Sequence, residues 1–188
     1  MENKANVKNL AYVGRQPKTE RDSNSWYTPM QYINMVRKVM ETIDLDPFSS
    51  ELANTHIKAN RIFTETNSAL GKKEWKDGIG QINVWMNPPY GKGLIQKAVE
   101  EFLKHWCNGE IRQAILLVNN ATETKWMQSL YAEADAICHV NGRIAFVSPD
   151  GKAVSGNTRG QLFLYFGTRI GRFNKIFKTI GKVAQWIR

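Results

Sequence analysis

Val84-Trp85-Met86-Asn87-Pro88-Pro89-Tyr90-Gly91 is the stretch that decides how this 188-residue chain is read. Val84-Trp85-Met86 is a β-prone apolar run, and two successive prolines cannot donate to a ladder, so a strand must end there. Beyond the turn, Leu94, Ile95, Ala98, Val99, Phe102, Leu103 and Trp106 recur at i, i+3, i+4 and mark an amphipathic helix that Asn108-Gly109 can stop. Ala114 to Val118 then reads as a strand apolar on both faces, hence central and covered by helices on both sides.

Toward the N-terminus the same alternation continues. Thr28 can cap a helix that has Pro29 at its first position and Gln31 closing a capping box, followed by Ile33, Val36, Val39, Met40 and Ile43 at helical spacing. Ile43 to Asp46 suits a strand that stops at Pro47, Ser50 to Lys58 a short helix, and Arg61 to Phe63 a short strand. Residues 1 to 22 carry five basic side chains among polar ones without apolar periodicity, and are read as a flexible basic tail.

Toward the C-terminus the pattern predicts a helix from Glu123 to Ala134, a strand at Ala136 to Val140, and a hairpin. Its arms are Arg143 to Val147 and Gln161 to Phe166, with a turn near Pro149-Asp150-Gly151. A basic amphipathic helical segment closes the chain, with Phe173, Ile176, Phe177, Ile180 and Ala184 on one side. The expected fold is α/β: a mostly parallel sheet with helices on both faces and an antiparallel C-terminal hairpin, residues 23–188 forming one domain. In such sheets ligands bind beyond the carboxyl ends of the strands.

Composition narrows the function classes. No run of eighteen apolar residues and no secretory leader is visible, so a cytoplasmic protein is expected. Cys107 and Cys138 lack metal-ligand spacing and are read as free core thiols; His56, His105 and His139 are scattered, and no metal site is expected. The formal net charge of +9 favours a polyanionic partner.

Asn-Pro-Pro-Tyr suits one particular chemical problem. An exocyclic amine such as N6 of adenine is a poor nucleophile because its lone pair is delocalised into the ring. The Asn87 side-chain oxygen can accept one N–H, and the Pro88 carbonyl, in a backbone stiffened by Pro89, the other. Tyr90 offers a flat face on which an extruded base can stack, a contact of about 1–3 kcal/mol against the few that unstacking costs. On stacking alone, phenylalanine or tryptophan would serve there. Leu45-Asp46-Pro47-Phe48-Ser49-Ser50 is a second signal: Asp46 can receive the amino group of a bound amino-acid moiety, or Asp46 or Ser50 can cap the next helix.

Taken in order, Trp26-Tyr27-Thr28-Pro29, Leu45-Asp46-Pro47, Trp75, Asn87 to Gly91, Leu116 to Trp126 and Gly142-Arg143-Ile144-x-Phe146 resemble the phage-type, Dam-like N6-adenine DNA methyltransferases over roughly residues 25 to 180. The resemblance implies a Rossmann-like methyltransferase core, S-adenosylmethionine as methyl donor and a flipped adenine of double-stranded DNA as acceptor, in a phage or prophage protein of the bacterial cytoplasm. It also implies that Asn87, Pro88, Pro89 and Tyr90 form the catalytic motif. Tyr27, Thr28 and Pro29 match a segment approaching the methionine end of the cofactor, and Asp46, Pro47, Phe48 and Ser49 its first binding motif. Ser49, Ser50 and Glu51 replace the glycines usual in the broader pattern. Glu65 is a candidate for the ribose hydroxyls.

Lys125, Arg143 and Arg159 are candidate DNA contacts, and Arg169, Arg172, Lys175, Lys178 and Lys182 are placed on a basic C-terminal helix that either follows the DNA backbone or is simply solvated. The same turn also suits RNA adenine or a protein glutamine amide as acceptor, and a non-catalytic DNA-binding relative is a further alternative. No stretch is long enough for a separate target-recognition domain, which predicts short or relaxed sequence specificity.

Overall fold

The computed structural model describes residues 12–13, 26–147 and 159–186. A two-stranded antiparallel pair, β1 (Tyr12–Val13) and β2 (Trp26–Tyr27), precedes α1 (Met30–Met40). Residues 12–13 of the predicted tail are thus paired; the rest of that tail, and the turn near Pro149, lie outside the described residues. Then follow β3 (Leu45–Asp46), α2 (Glu51–Ile57), β4 (Arg61–Ile62), β5 (Ile82–Met86), α3 (Leu94–Cys107) and β6 (Ile111–Asn119). The chain continues through α4 (Lys125–Glu133), β7 (Ala136–Val140), β8 (Gln161–Phe166), α5 (Ile170–Phe177) and β9 (Gly181–Gln185).

Strands β3 to β9 form one sheet in the order β4-β3-β5-β6-β8-β7-β9. β4, β3, β5 and β6 are parallel; β8 is antiparallel to both β6 and β7, and β9 is antiparallel to β7. Alternate side chains of the central strands feed two apolar layers. Ile33, Val36, Ile57 and Phe173 of α1, α2 and α5 pack on Trp85, Ile115 and Phe163, while Ala98, Phe102 and Leu130 of α3 and α4 pack on Val84, Leu116 and Leu164. Helices therefore cover both faces, as the all-apolar run Ala114 to Val118 requires. None of the described helices is long and apolar enough to cross a membrane.

The C-terminal third departs from the predicted hairpin. Arg143 to Val147 forms no strand; only Val147 bridges, and to Tyr27 rather than to β8. All six residues of β8 are buried, which suits a strand with neighbours on both sides and not the arm of a peripheral hairpin. The predicted terminal helix also stops at Phe177, and Lys182 and Ala184 stand exposed on β9. Glycine is required at the start of that strand: a Cβ on Gly181 would run into the His139 carbonyl across the ladder.

The sheet's two edges differ in character. At the amino edge, Asn83 is fully buried, donates to Met40 O (3.2 Å) and Thr42 Oγ1 (2.8 Å), and accepts from Arg112 Nε (3.0 Å) and Gln113 Nε2 (3.1 Å). Arg169 and Arg172 follow the end of β8 at this edge and both donate to Glu41 Oε1, at 2.9 and 2.6 Å. They lie across the sheet from Asn87 and are engaged in ion pairs there. Cys107 is also exposed, contrary to its reading as a core thiol, whereas Cys138 is buried.

Candidate active site

At the opposite, carboxyl edge the chain leaves β3 for β4 on one side and returns to β5 on the other. The ends of β3 and β5 thus flank a topological switch point, where diverging loops open a crevice. Asp46 ends β3, Asn87 follows β5, and Asn119 ends the neighbouring β6.

Asn87 is 1% exposed, and its Nδ2 donates to Thr28 Oγ1 at 2.9 Å. Thr28 is wholly buried and is not the helix cap its sequence context suggests. Pro29 occupies the N-cap of α1 without a side-chain cap bond, and the threonine hydroxyl is turned to Asn87, 59 residues away. Its backbone position is set by the preceding residue, since Tyr27 and Val147 exchange N–H···O bonds of 2.7 and 3.0 Å.

Pro88 is buried and Pro89 half-buried, and the turn runs through Tyr90 into a 3₁₀ turn at Gly91–Gly93. The Asn119 N–H donates to the Tyr90 hydroxyl at 2.6 Å. Burial pushes that hydroxyl well above the ordinary tyrosine range, opposed by the Asn119 bond and the positive charge of Arg159, so it is neutral. Tyr90 therefore does more than present a ring: its far end accepts from a backbone group at the end of β6, which phenylalanine cannot do.

Asp46 is 1% exposed. Burial raises its carboxyl to about 7, while the nearby Ser49 hydroxyl and the Phe48 N–H, which donates to Oδ1 at 3.3 Å, draw it down. Asp46 Oδ2 and Ser49 Oγ are both buried without a hydrogen-bond partner of good geometry. Buried polar atoms are normally satisfied, and these two both belong to the turn that follows β3. The capping role falls to Ser50, whose Oγ accepts from Ala53 N at 3.1 Å. Pro47 is buried, and the half-buried Phe48 packs on the α3–α4 layer.

One residue at this edge was missed from the sequence. Gln161, 2% exposed, accepts from Ile144 N (3.0 Å) and donates to Arg159 O (2.6 Å) and Asn119 Oδ1 (3.4 Å). It ties the 143–147 segment to the strand carrying the Tyr90 anchor. A glutamine heading a run of five apolar residues was the available signal, because a buried amide must find partners. Arg143 and Arg159 are exposed on the two segments that Gln161 joins, while Lys125 is exposed at the first turn of α4. Glu65 is exposed just beyond β4.

The described chain is thus a mixed α/β protein with a buried asparagine and an underpartnered carboxylate on adjacent strand ends. The family model described as DNA N-6-adenine-methyltransferase (Dam) matches residues 14–184, and the chain belongs to that family. Comparison with curated proteins and with solved structures gives no match.

Proposed function

We propose that the chain is an S-adenosylmethionine-dependent enzyme that methylates N6 of adenine in DNA, residues 23–188 acting as one Rossmann-like domain. The observation that carries the reading is Asn87. It is buried at the carboxyl end of β5, its amide nitrogen is engaged by Thr28, and no described residue donates to its oxygen.

Asn87 Oδ1 and the Pro88 carbonyl accept the two N–H bonds of the amine, which draws the lone pair out of the ring and fixes its direction. The Tyr90 ring, held by Asn119, stacks on the extruded base. Asp46 Oδ2 and Ser49 Oγ have the chemistry to take the ammonium of an amino-acid moiety, so the residues present fit the cofactor. Tyr27, Pro29, Pro47 and Phe48 shape the walls around it. When bound, the cofactor would supply an electrophilic methyl on sulfonium: as the N6–CH3 bond formed, the S–CH3 bond would break to leave the neutral thioether, and N6 would shed one proton to water. Lys125, Arg143 and Arg159 are assigned to DNA phosphates or base edges, and Glu65 to the ribose.

The family and the net charge of +9 favour DNA over RNA or a protein amide. The test is incubation of the purified chain with radiolabelled S-adenosylmethionine and unmodified DNA, RNA or protein. Label appearing as N6-methyladenine in DNA is expected; label confined to RNA or protein overturns the assignment.

A further inference from the structure

Three neighbouring strands carry amides at the carboxyl edge, on one face of the sheet. Trp85, Ile115, Leu117 and Phe163 share an apolar layer, and the alternation that places them there carries on to Asn87 after β5, Asn119 at the end of β6 and Gln161 at the start of β8. Met86 pairs with Leu116, so Asn119 stands one same-face position, about 6.6 Å, further out along β6 than the level of Asn87, with about 4.8 Å between the strands. A base whose amine is held at Asn87 and that extends outward from the edge comes within reach of the Asn119 side chain.

The middle amide is oriented by its neighbour, and the neighbour by backbone groups that have one role each. The Ile144 N–H can only donate, and it meets Gln161 Oε1 at 3.0 Å; the Arg159 carbonyl can only accept, and it meets Gln161 Nε2 at 2.6 Å. Gln161, 2% exposed, therefore has one orientation. Its Nε2 also faces Asn119 Oδ1 at 3.4 Å, and the reverse orientation of Asn119 would set donor against donor. Because β6 lies between β5 and β8, turning Oδ1 to β8 turns Nδ2 away from it, on the side of the Asn87 turn. Asn119 Nδ2 has no partner among the described residues, while the backbone N–H of the same residue holds the Tyr90 hydroxyl at 2.6 Å.

We propose that Asn119 Nδ2 donates to ring nitrogen N1 of the acceptor adenine, which makes Asn119 a base-recognition residue and Gln161 the positioning residue that aims it. The proposal rests on the reading of Asn87 and Pro88 as acceptors of the target amine. Two ring acceptors, N1 and N7, lie near that amine. N1 gives up its pairing donor when the base leaves the duplex, so a donor from the protein restores what extrusion costs, whereas N7 has no pairing partner to lose. Asn87 and Asn119 together then read a donor beside an acceptor on the pairing edge, an order that guanine and thymine reverse.

The test uses a synthetic duplex with one adenine that the wild-type protein methylates, and the same duplex with 1-deazaadenine or 7-deazaadenine in its place. Asn119→Ala keeps the backbone N–H to Tyr90 and removes the donor. On adenine, kcat/KM for the duplex should fall about tenfold, the scale of one buried hydrogen bond, with affinity for S-adenosylhomocysteine within about twofold. On 1-deazaadenine the same substitution should cost less than about twofold, because the acceptor is already gone, and on 7-deazaadenine the full tenfold. Gln161→Glu offers Asn119 an acceptor in place of a donor and so turns its amide over; the same dependence on the base is expected, which a merely structural loss would not show.

An equal loss on all three bases in either variant, no loss on adenine, or a loss that vanishes on 7-deazaadenine instead would overturn the proposal. Should the alanine variant fail to fold, Asn119→Asp, of the same shape and without the donor, carries the same expectations. Wild-type protein that methylates no adenine in DNA refutes the functional reading instead, so the two failures are told apart.

Discussion

On the proposed function, the carboxyl of Asp46 makes cofactor capture a proton-linked event. It is buried at the end of β3, burial raises it to about 7, and its Oδ2 lacks a hydrogen-bond partner of good geometry. A ligand ammonium at Oδ2 requires the carboxylate, so below about pH 6 each further unit of acidity should weaken binding about tenfold. Above about 7 the carboxylate is fully formed and affinity levels off.

The assay is calorimetric titration with S-adenosylhomocysteine, which carries the same amino-acid end and no transferable methyl, across about pH 5.5 to 8.5 in buffers of different ionisation enthalpy. At about pH 6 the free site is mostly protonated, so close to one proton, about 0.9, should be released for each ligand bound. Asp46→Asn should abolish the release and flatten the pH slope. Constant affinity from about pH 5.5 to 7 in the wild type, or the same slope in Asp46→Asn, refutes the reasoning.

Other expectations follow from the same edge of the sheet. Asn87→Ala should lower kcat by about a hundredfold or more while leaving S-adenosylhomocysteine affinity unchanged, since its oxygen acts on the acceptor in the transition state; single-turnover kinetics beside calorimetry check both halves. Tyr90→Phe strands the Asn119 N–H and should cost about 1–3 kcal/mol, read as a drop in Tm, whereas Tyr90→Ala should in addition raise the KM for DNA. Because the folded-state value of Asp46 lies above its ordinary 3.8, the stability it contributes is full below that value and is lost as pH rises through about 7; urea melts of ligand-free protein across this range should show the decline, and Asp46→Asn should remove that part of it. Methylation mapped across an exposed genome should reveal a site of only a few base pairs, with DNA affinity falling steeply as salt is added; a strict motif of about six pairs or more would point to recognition elements beyond those described.

The parallel half of the sheet was legible because its signals are local. The prolines after Asn87 end a strand wherever they stand, and the helical spacing from Leu94 to Trp106 is complete within one element. The antiparallel half was misread because pairing partners leave no local trace. Gln161 to Phe166 reads as a strand, but nothing in it says that β6 and β7 are its neighbours and Arg143 to Val147 is not. Thr28 is the same lesson at a single residue: Thr-Pro before an apolar helix favours capping, and a buried amide 59 residues on competed for the hydroxyl and won. At the C-terminus, Ala184 continues a helical period that Phe177 had already ended, and Gly181 was the punctuation that marked the change.

The place of β8 between β6 and β7 also sets a timetable for the chain as it leaves the ribosome. β7 is synthesised before either of the strands that flank it, so a nascent chain that has emerged only as far as Val147 carries one orphan strand and an open β6 edge, both able to pair with a neighbouring polypeptide. The Asn87 end of the site has been translated by then, but Gln161, which secures the segment paired to Tyr27, has not. On the proposed function, competence to capture a base thus arrives only once Gln161 and β8 have been made, and a chain that stalls before them is a hazard for aggregation and not a weak enzyme.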